Sequence, residues 1–357
     1  MKPMLLPLSL LVMAGACADN SALEKRAPSP SGSPDTRAPS APQGPQAELP
    51  STDAPDASID PPPPPPVLEG DPAARGEYAV LEQEASIDLP DDELEAFTVT
   101  LYLPSTDEGK STAALDHEAP LLVLMPGFTR KHGDYKKLSQ HFASWGFVVL
   151  GLSFLEEGKH DKDVAQALAA IDWALAAESP ISALIDPEAI VTTGHSLGGK
   201  IAFYAAALDP RVKVVVGWDP VDSGGAPCWI PVAGRACNDW SVAPNSFEGD
   251  EGMMGSIQAA QLVFHAPPGL FNPEAHNSLR FWEGTKSPAQ LVKIPDASHL
   301  DWGVAENGKW DTLTARTQLA FMLKHLYGTT GTEPYLDGDV IAQDISAGTV
   351  VIELKQE

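Results

Sequence analysis

Between residues 97 and 327 the chain alternates short apolar runs with segments of helical periodicity, which narrows its possible folds more than any other feature does. Leu121 to Met125, "LLVLM", has no polar residue at either parity, so an extended segment there must be covered on both sides. Phe147 to Leu152, Ala189 to Thr193, Val212 to Gly217, Gln261 to His265 and Gln290 to Ile294 read as further strands. Helical stretches lie between them: Tyr135 to Ser144, a segment with Val164, Leu168, Ile171 and Leu175 on one face, Leu197 to Leu208, and Asp311 to Tyr327. Strands alternating with helices call for an α/β fold, a mainly parallel doubly wound sheet covered by helices on both faces. Tyr78 to Ile87 and Phe97 to Leu103 add an opening pair of strands around the acidic turn "DLPDDELE". Residues 334–357 read as an extension made of a short helix and an edge strand, "GTVVIELK".

Upstream the composition changes. Residues 27–66 hold 14 of the 34 prolines and no aromatic residue, so nothing there can build a core. The segment reads as a tether that polyproline extension could carry to about 120 Å, at ~3.1 Å per residue. Before it, "MKPMLLPLSLLVMAGACADN" places one basic residue, Lys2, ahead of an apolar run from Met4 to Met13 that is too short to span a bilayer. That is the pattern of an export signal. Ala14-Gly15-Ala16-Cys17 resembles a bacterial lipobox, in which the cysteine is acylated and becomes the new N-terminus; ordinary cleavage and secretion is the alternative. Ala18 after the cysteine resembles lipoproteins sent to the outer membrane, facing the periplasm or the cell surface. The expected map is a signal segment over residues 1–17, a tether over 18–73 and a catalytic domain over 74–357.

The chain has three cysteines, and an odd thiol in an exported protein needs an explanation. With Cys17 lipidated, Cys228 and Cys237 remain as a candidate disulfide in a loop rich in proline and glycine, two free or metal-binding thiols being the alternative. Lysines and arginines number 23 against 49 acidic residues, a net charge of −26 that opposes binding to nucleic acid or to anionic lipid headgroups. Membrane association is therefore expected only through a lipid anchor, and the chain is expected to act as a monomer.

The stretch "VTTGHSLGGKIAF" sets Gly194-His195-Ser196-Leu197-Gly198 between an expected strand and an expected helix, the context of a nucleophile elbow. Glycines at 194 and 198 suit a sharp turn that crowds the neighbouring backbone, and the helix N-terminus favours developing negative charge. A serine hydroxyl attacks only when a base removes its proton. Of the nine histidines, His299 in "PDASHLDWG" follows the last expected parallel strand and returns to the same sheet edge, with His276 as the fallback. His195 is expected to point away from the elbow and to pack or hydrogen-bond locally. Asp219, in "VVVGWDPVDSGG", ends the strand after the elbow helix and is the favoured acid; Asp222 and Glu274 are the alternatives. The amides of Leu197 and Phe128 are the expected oxyanion donors, with Gly127 letting "LMPGF" turn and expose the second. Trp218, Trp302 and Phe128 lie beside these positions and are candidates either for an apolar pocket or for ordinary core.

With these residues the chain resembles the α/β-hydrolases, in the group of chlorophyllases, platelet-activating-factor acetylhydrolases, dienelactone hydrolase-like proteins and polyester hydrolases (cutinases). "PLLVLMPGFTRKHGDYKKLSQHFASWGFVVLGLSF" resembles their oxyanion-loop segment, and "GHSLGGKIAF", "WDPVD" and "SHLDW" are similar to the chlorophyllase segments carrying nucleophile, acid and histidine. Polyester hydrolases place their acid after the next strand, where this chain reads "FHAPPGLFNPEAHN" with no aspartate, and that departure favours the chlorophyllase-like arrangement. The resemblance implies the α/β-hydrolase fold and a serine carboxylic-ester hydrolase acting through an acyl-enzyme on a small or lipid-like ester, with no metal or organic cofactor. Acyl transfer or thioester hydrolysis by the same triad, and ligand binding without turnover by a surface lipoprotein, are the competing readings. Residues 224–256, with the cysteine pair and Met253-Met254, are expected to overhang the site as a cap.

Overall fold

The computed structural model describes residues 65–356 apart from 89–94, 113–114, 116, 156–159, 223–252, 287 and 303–309. Cys17, the export signal, most of the tether, the Cys228 and Cys237 pair and nearly all of the expected cap lie outside the described residues.

The chain runs β1 (Ala79–Ile87), β2 (Phe97–Ser105), β3 (Ala119–Met125), α1 (Lys136–Ser144), β4 (Val148–Gly151), α2 (His160–Leu175), β5 (Ile185–His195), α3 (Leu197–Leu208) and β6 (Val212–Trp218). It continues with α4 (Met253–Ser256), β7 (Ala260–His265), α5 (Ser278–Gly284), β8 (Ala289–Lys293), α6 (Asp311–Tyr327), α7 (Glu333–Leu336), α8 (Asp339–Ser346) and β9 (Val351–Lys355). One sheet takes the strands in the order β1-β2-β4-β3-β5-β6-β7-β8-β9. The pairs from β4 through β3 and β5 to β8 are parallel, while β1, β2 and β9 pair antiparallel at the two edges.

Period-two alternation explains the unbroken apolar runs. In β3, Leu121, Val123 and Met125 enter one core layer, with Ile171 of α2, Phe203 of α3 and Phe281 of α5. Leu122 and Leu124 enter the other, with Phe142 of α1 and Leu319 of α6. Because α1 leaves β3 toward one layer and α3 leaves β5 toward the other, the crossover changes side between these adjacent strands. Their carboxyl ends are the place where such a sheet opens a crevice.

Three expectations change. The face of α2 is built from small residues: Val164, Ala167, Ala170, Ile171 and Ala174 are buried, while Leu168 and Leu175 are only partly so, because alanines let this helix lie close to its neighbours. Met253 and Met254 form no cap; both are buried in the core layer under α3, just before the amino end of β7 and so at the sheet edge opposite Ser196. Contacts of the folded unit also reach upstream of residue 74. Leu68 N–H donates to the Thr330 carbonyl at 2.8 Å and Thr330 N–H to that of Pro66 at 2.9 Å. The C-terminal extension adds α7, α8 and the edge strand β9, which buries Leu336, Ile341 and Val350 against the α6 layer.

Candidate active site

Ser196 sits between β5 and α3 with φ of 54° and ψ of −117°, backbone geometry that a side chain rarely adopts and that surrounding contacts must hold. Those contacts are present. Ser196 N–H donates to the Trp218 carbonyl at 3.1 Å, and its own carbonyl accepts from Val221 N–H at 3.2 Å and Lys200 N–H at 3.1 Å. A Cβ on Gly198 would come within 2.1 Å of the Met125 carbonyl oxygen, and one on Gly194 within 2.4 Å of Gly198, so both glycines are dictated by close backbone approach.

His299 bridges the site. Its Nε2 lies 2.9 Å from Ser196 Oγ and its Nδ1 2.7 Å from Asp219 Oδ2. The ring projects from a short turn after β8 that is fixed by reciprocal bonds between Ser298 and Asp301. Asp219, at the end of β6, also has a positive φ, 43°, and is fully buried. Its carboxylate accepts from Asn272 Nδ2 at 2.8 Å, Ser278 Oγ at 2.6 Å and Ala266 N–H at 3.2 Å besides the histidine. Ser278 in turn lies 2.8 Å from His265 Nδ1. With its proton given to Asp219, Ser278 Oγ accepts from that nitrogen. Burial lowers the His265 pKa. Accessibility falls along the series: Ser196 is partly exposed, His299 nearly covered and Asp219 sealed.

Leu197 opens α3, so its N–H has no acceptor within the helix. Opposite it, the loop after β3 is tied by its flanking amides, Gly127 N–H to Tyr135 Oη at 3.0 Å and Arg130 N–H to the Gly127 carbonyl at 2.9 Å, with Phe128 between them. The left-handed residue of this loop is Thr129, with φ of 62°, not Gly127. Gly127 is instead a glycine because a Cβ there would meet His195 Nδ1 at 2.9 Å and Tyr135 Oη at 3.2 Å.

The alternative residues are engaged elsewhere. The Asp222 carboxylate pairs with the fully buried Lys200 and lies 3.6 Å from Arg280. His276 Nδ1 donates to the Asp222 carbonyl at 2.8 Å. Glu274 is exposed in a short turn. Trp218 and Trp302 belong to the core, their ring N–H groups donating to Gln318 at 2.7 Å and Thr314 at 3.2 Å, and Phe128 alone of the three aromatic candidates reaches the surface. Phe271, unforeseen, stacks on His299 with centroids 6.3 Å apart, and the sequence neighbours of the two rings, Leu270 and Leu300, are exposed. His195 does not point away: it is buried against His299, ring centroids 4.8 Å apart, and bonded to that residue's carbonyl. Asn272 in the loop after β7 and Ser278 at the start of α5 carry no sequence signal of their own, Glu274 being the candidate that this stretch offers for the acid.

The model of the PET hydrolase-like family matches residues 63–249. The chain is 25% identical over 210 residues to Chlorophyllase-2 of Arabidopsis thaliana, covering 54% of this chain and 63% of the relative. It is 31% identical over 123 residues to the bis(hydroxyethyl) terephthalate hydrolase of Streptomyces coelicolor, 34% of this chain and 37% of the relative. It is 28% identical over 126 residues to Lipase 1 of a Moraxella species, 34% and 39%. The chain thus spans less than two thirds of the length of each of these curated relatives.

Proposed function

The chain belongs to the PET hydrolase-like family, and from that membership and the geometry around Ser196 we propose that it is a serine carboxylic-ester hydrolase working through an acyl-enzyme. The single observation that carries the reading is His299, which stands 2.9 Å from a strained serine hydroxyl and 2.7 Å from a buried carboxylate. Ser196 Oγ attacks the ester carbonyl while His299 Nε2 takes its proton, and Asp219 holds the Nδ1–H and stabilises the imidazolium. The carbonyl oxygen becomes an oxyanion facing the amides of Leu197 and Phe128. As the intermediate collapses, His299 returns the proton to the departing alkoxide, leaving an acyl-serine. Water then repeats the sequence, releasing the acid and restoring the serine hydroxyl.

The names of the relatives, a chlorophyllase, a terephthalate-ester hydrolase and a lipase, support an ester as substrate. The exposed Leu300, next to His299 in sequence, and Leu270, next to the Phe271 that stacks on it, suit a small or lipid-like one. Hydrolysis of p-nitrophenyl esters and covalent labelling by a fluorophosphonate probe test the reading, with Ser196→Ala and His299→Ala as controls. A wild type that neither labels nor hydrolyses at any chain length would remove it. We also propose export and acylation at Cys17, on the leader sequence alone; radiolabelled palmitate incorporation that survives Cys17→Ser would rule out that anchor.

A further inference from the structure

We infer that His195 and Tyr135 form a positioning pair that holds the oxyanion loop and the base loop in register around Ser196, so that His195 sets the rate of ester cleavage without touching the ester. The inference rests on the hydrolase reading. Gly127 N–H donates to Tyr135 Oη at 3.0 Å, Tyr135 Oη lies 2.9 Å from His195 Nδ1, and His195 Nε2 lies 2.8 Å from the His299 carbonyl oxygen. The last two bonds join residues 60 and 104 positions apart in sequence, which the sheet brings together.

The direction of each bond follows from what its ends can do. An amide N–H only donates and a carbonyl only accepts, so Tyr135 Oη accepts from Gly127 and His195 Nε2 donates to His299. His195 Nδ1 is then the remaining acceptor, and the Tyr135 hydroxyl proton points into it. Every member is satisfied when His195 is neutral. Burial holds its pKa well below the ordinary histidine range, outweighing the bond to the His299 carbonyl, which favours the protonated ring. A neutral ring also spares His299 a fixed cation beside it at the moment it takes the Ser196 proton.

The chain is closely fitted to this arrangement. Gly127 leaves just enough room for the pair, and the residue it precedes, Phe128, is a proposed oxyanion donor. His195 precedes Ser196 directly. One side chain therefore touches all three segments whose relative placement decides whether attack, proton transfer and oxyanion binding coincide.

The test measures kcat, KM, fluorophosphonate labelling rate and melting temperature for wild type, His195→Phe, His195→Gln and Tyr135→Phe. His195→Phe is expected to lower kcat roughly 100-fold at nearly constant KM, with labelling slowed in parallel. Tyr135→Phe, which removes one hydroxyl, is expected to cost roughly tenfold. His195→Gln keeps one acceptor and one donor and is expected to recover to within about tenfold of wild type. If His195→Phe does not fold, Tyr135→Phe against His195→Gln and wild type carries the comparison. A folded His195→Phe or Tyr135→Phe with wild-type kcat, a loss confined to KM, or a glutamine variant no faster than the phenylalanine one would overturn the inference. A wild type without hydrolysis or labelling would instead remove the hydrolase reading, and this inference with it.

Discussion

Asn272 donates through Nδ2 to Asp219 Oδ2 at 2.8 Å, so the loop after β7, one of two places from which this fold can supply an acid, contributes an amide to the carboxylate at the end of β6. Ser278 adds a second donor to the same carboxylate at 2.6 Å. Asn272→Ala and Ser278→Ala should each lower kcat/KM roughly tenfold, the worth of one hydrogen bond to a charged group. Wild-type kcat/KM in both folded variants would mean that these donors do not hold Asp219 in place for His299.

The assignment of the acid is open to a direct comparison. Asp219→Asn should cost on the order of 10⁴-fold in kcat, as expected when a triad carboxylate is neutralised, while Glu274→Gln leaves kcat within about threefold. A large loss only in Glu274→Gln would move the role to the loop after β7.

Asp222 carries a different weight. Its partner Lys200 is fully buried in the helix that begins at the elbow, so Asp222→Asn removes an anionic partner from a charge in the core. Unfolding in urea should register a loss of about 3 kcal/mol, the cost of breaking a buried ion pair from one side. A stability within about 1 kcal/mol of wild type, on the same scale, would show that other groups around Lys200 carry its charge without Asp222.

Gly198 leaves no room for a methyl group, because a Cβ would lie 2.1 Å from the Met125 carbonyl oxygen and 2.5 Å from that of Pro126. Both atoms are backbone at the end of β3, so no rotamer change relieves the clash. Gly198→Ala should therefore fold poorly or lose labelling at Ser196 altogether. Circular dichroism with a labelling assay checks this, and a folded, labelled variant would contradict the packing described.

Stability should fall with acid because several histidines are buried. Burial lowers the pKa of His141 and of His325 to about 4 and holds that of His195 well below the ordinary 6.5. The unfolded chain thus binds more protons than the folded one as pH drops below about 6.5. The stability these groups contribute is complete above that value and is lost toward the folded pKa. The slope approaches about 1.4 kcal/mol per pH unit for each such histidine. Urea titrations between pH 7 and 4.5 should show this decline, and His325→Leu should reduce its slope; a flat profile would mean that these rings are solvated.

Local pattern alone determined a great deal. The run "LLVLM", the flanking helical periods and "GHSLGG" fix an α/β sheet with a sharp strand-to-helix turn at Ser196, because the two-residue strand period and the 3.6-residue helical period are written in the order of side chains. Asp219 and His299 were legible too, since each follows a strand whose carboxyl end must lie on the same sheet edge. What the chain order does not carry is which polar groups meet across that edge. Nothing in the local pattern around Asn272 and Ser278 names a partner for them, Tyr135 reads only as the start of a helix, and the place of His195 beside Ser196 says nothing about a bond to a residue 104 positions away. Met253 and Met254 likewise went from expected cap to core. Only the packed sheet decided these, because a buried donor or acceptor must find its partner among whatever the fold brings near, and that neighbourhood exists only in three dimensions.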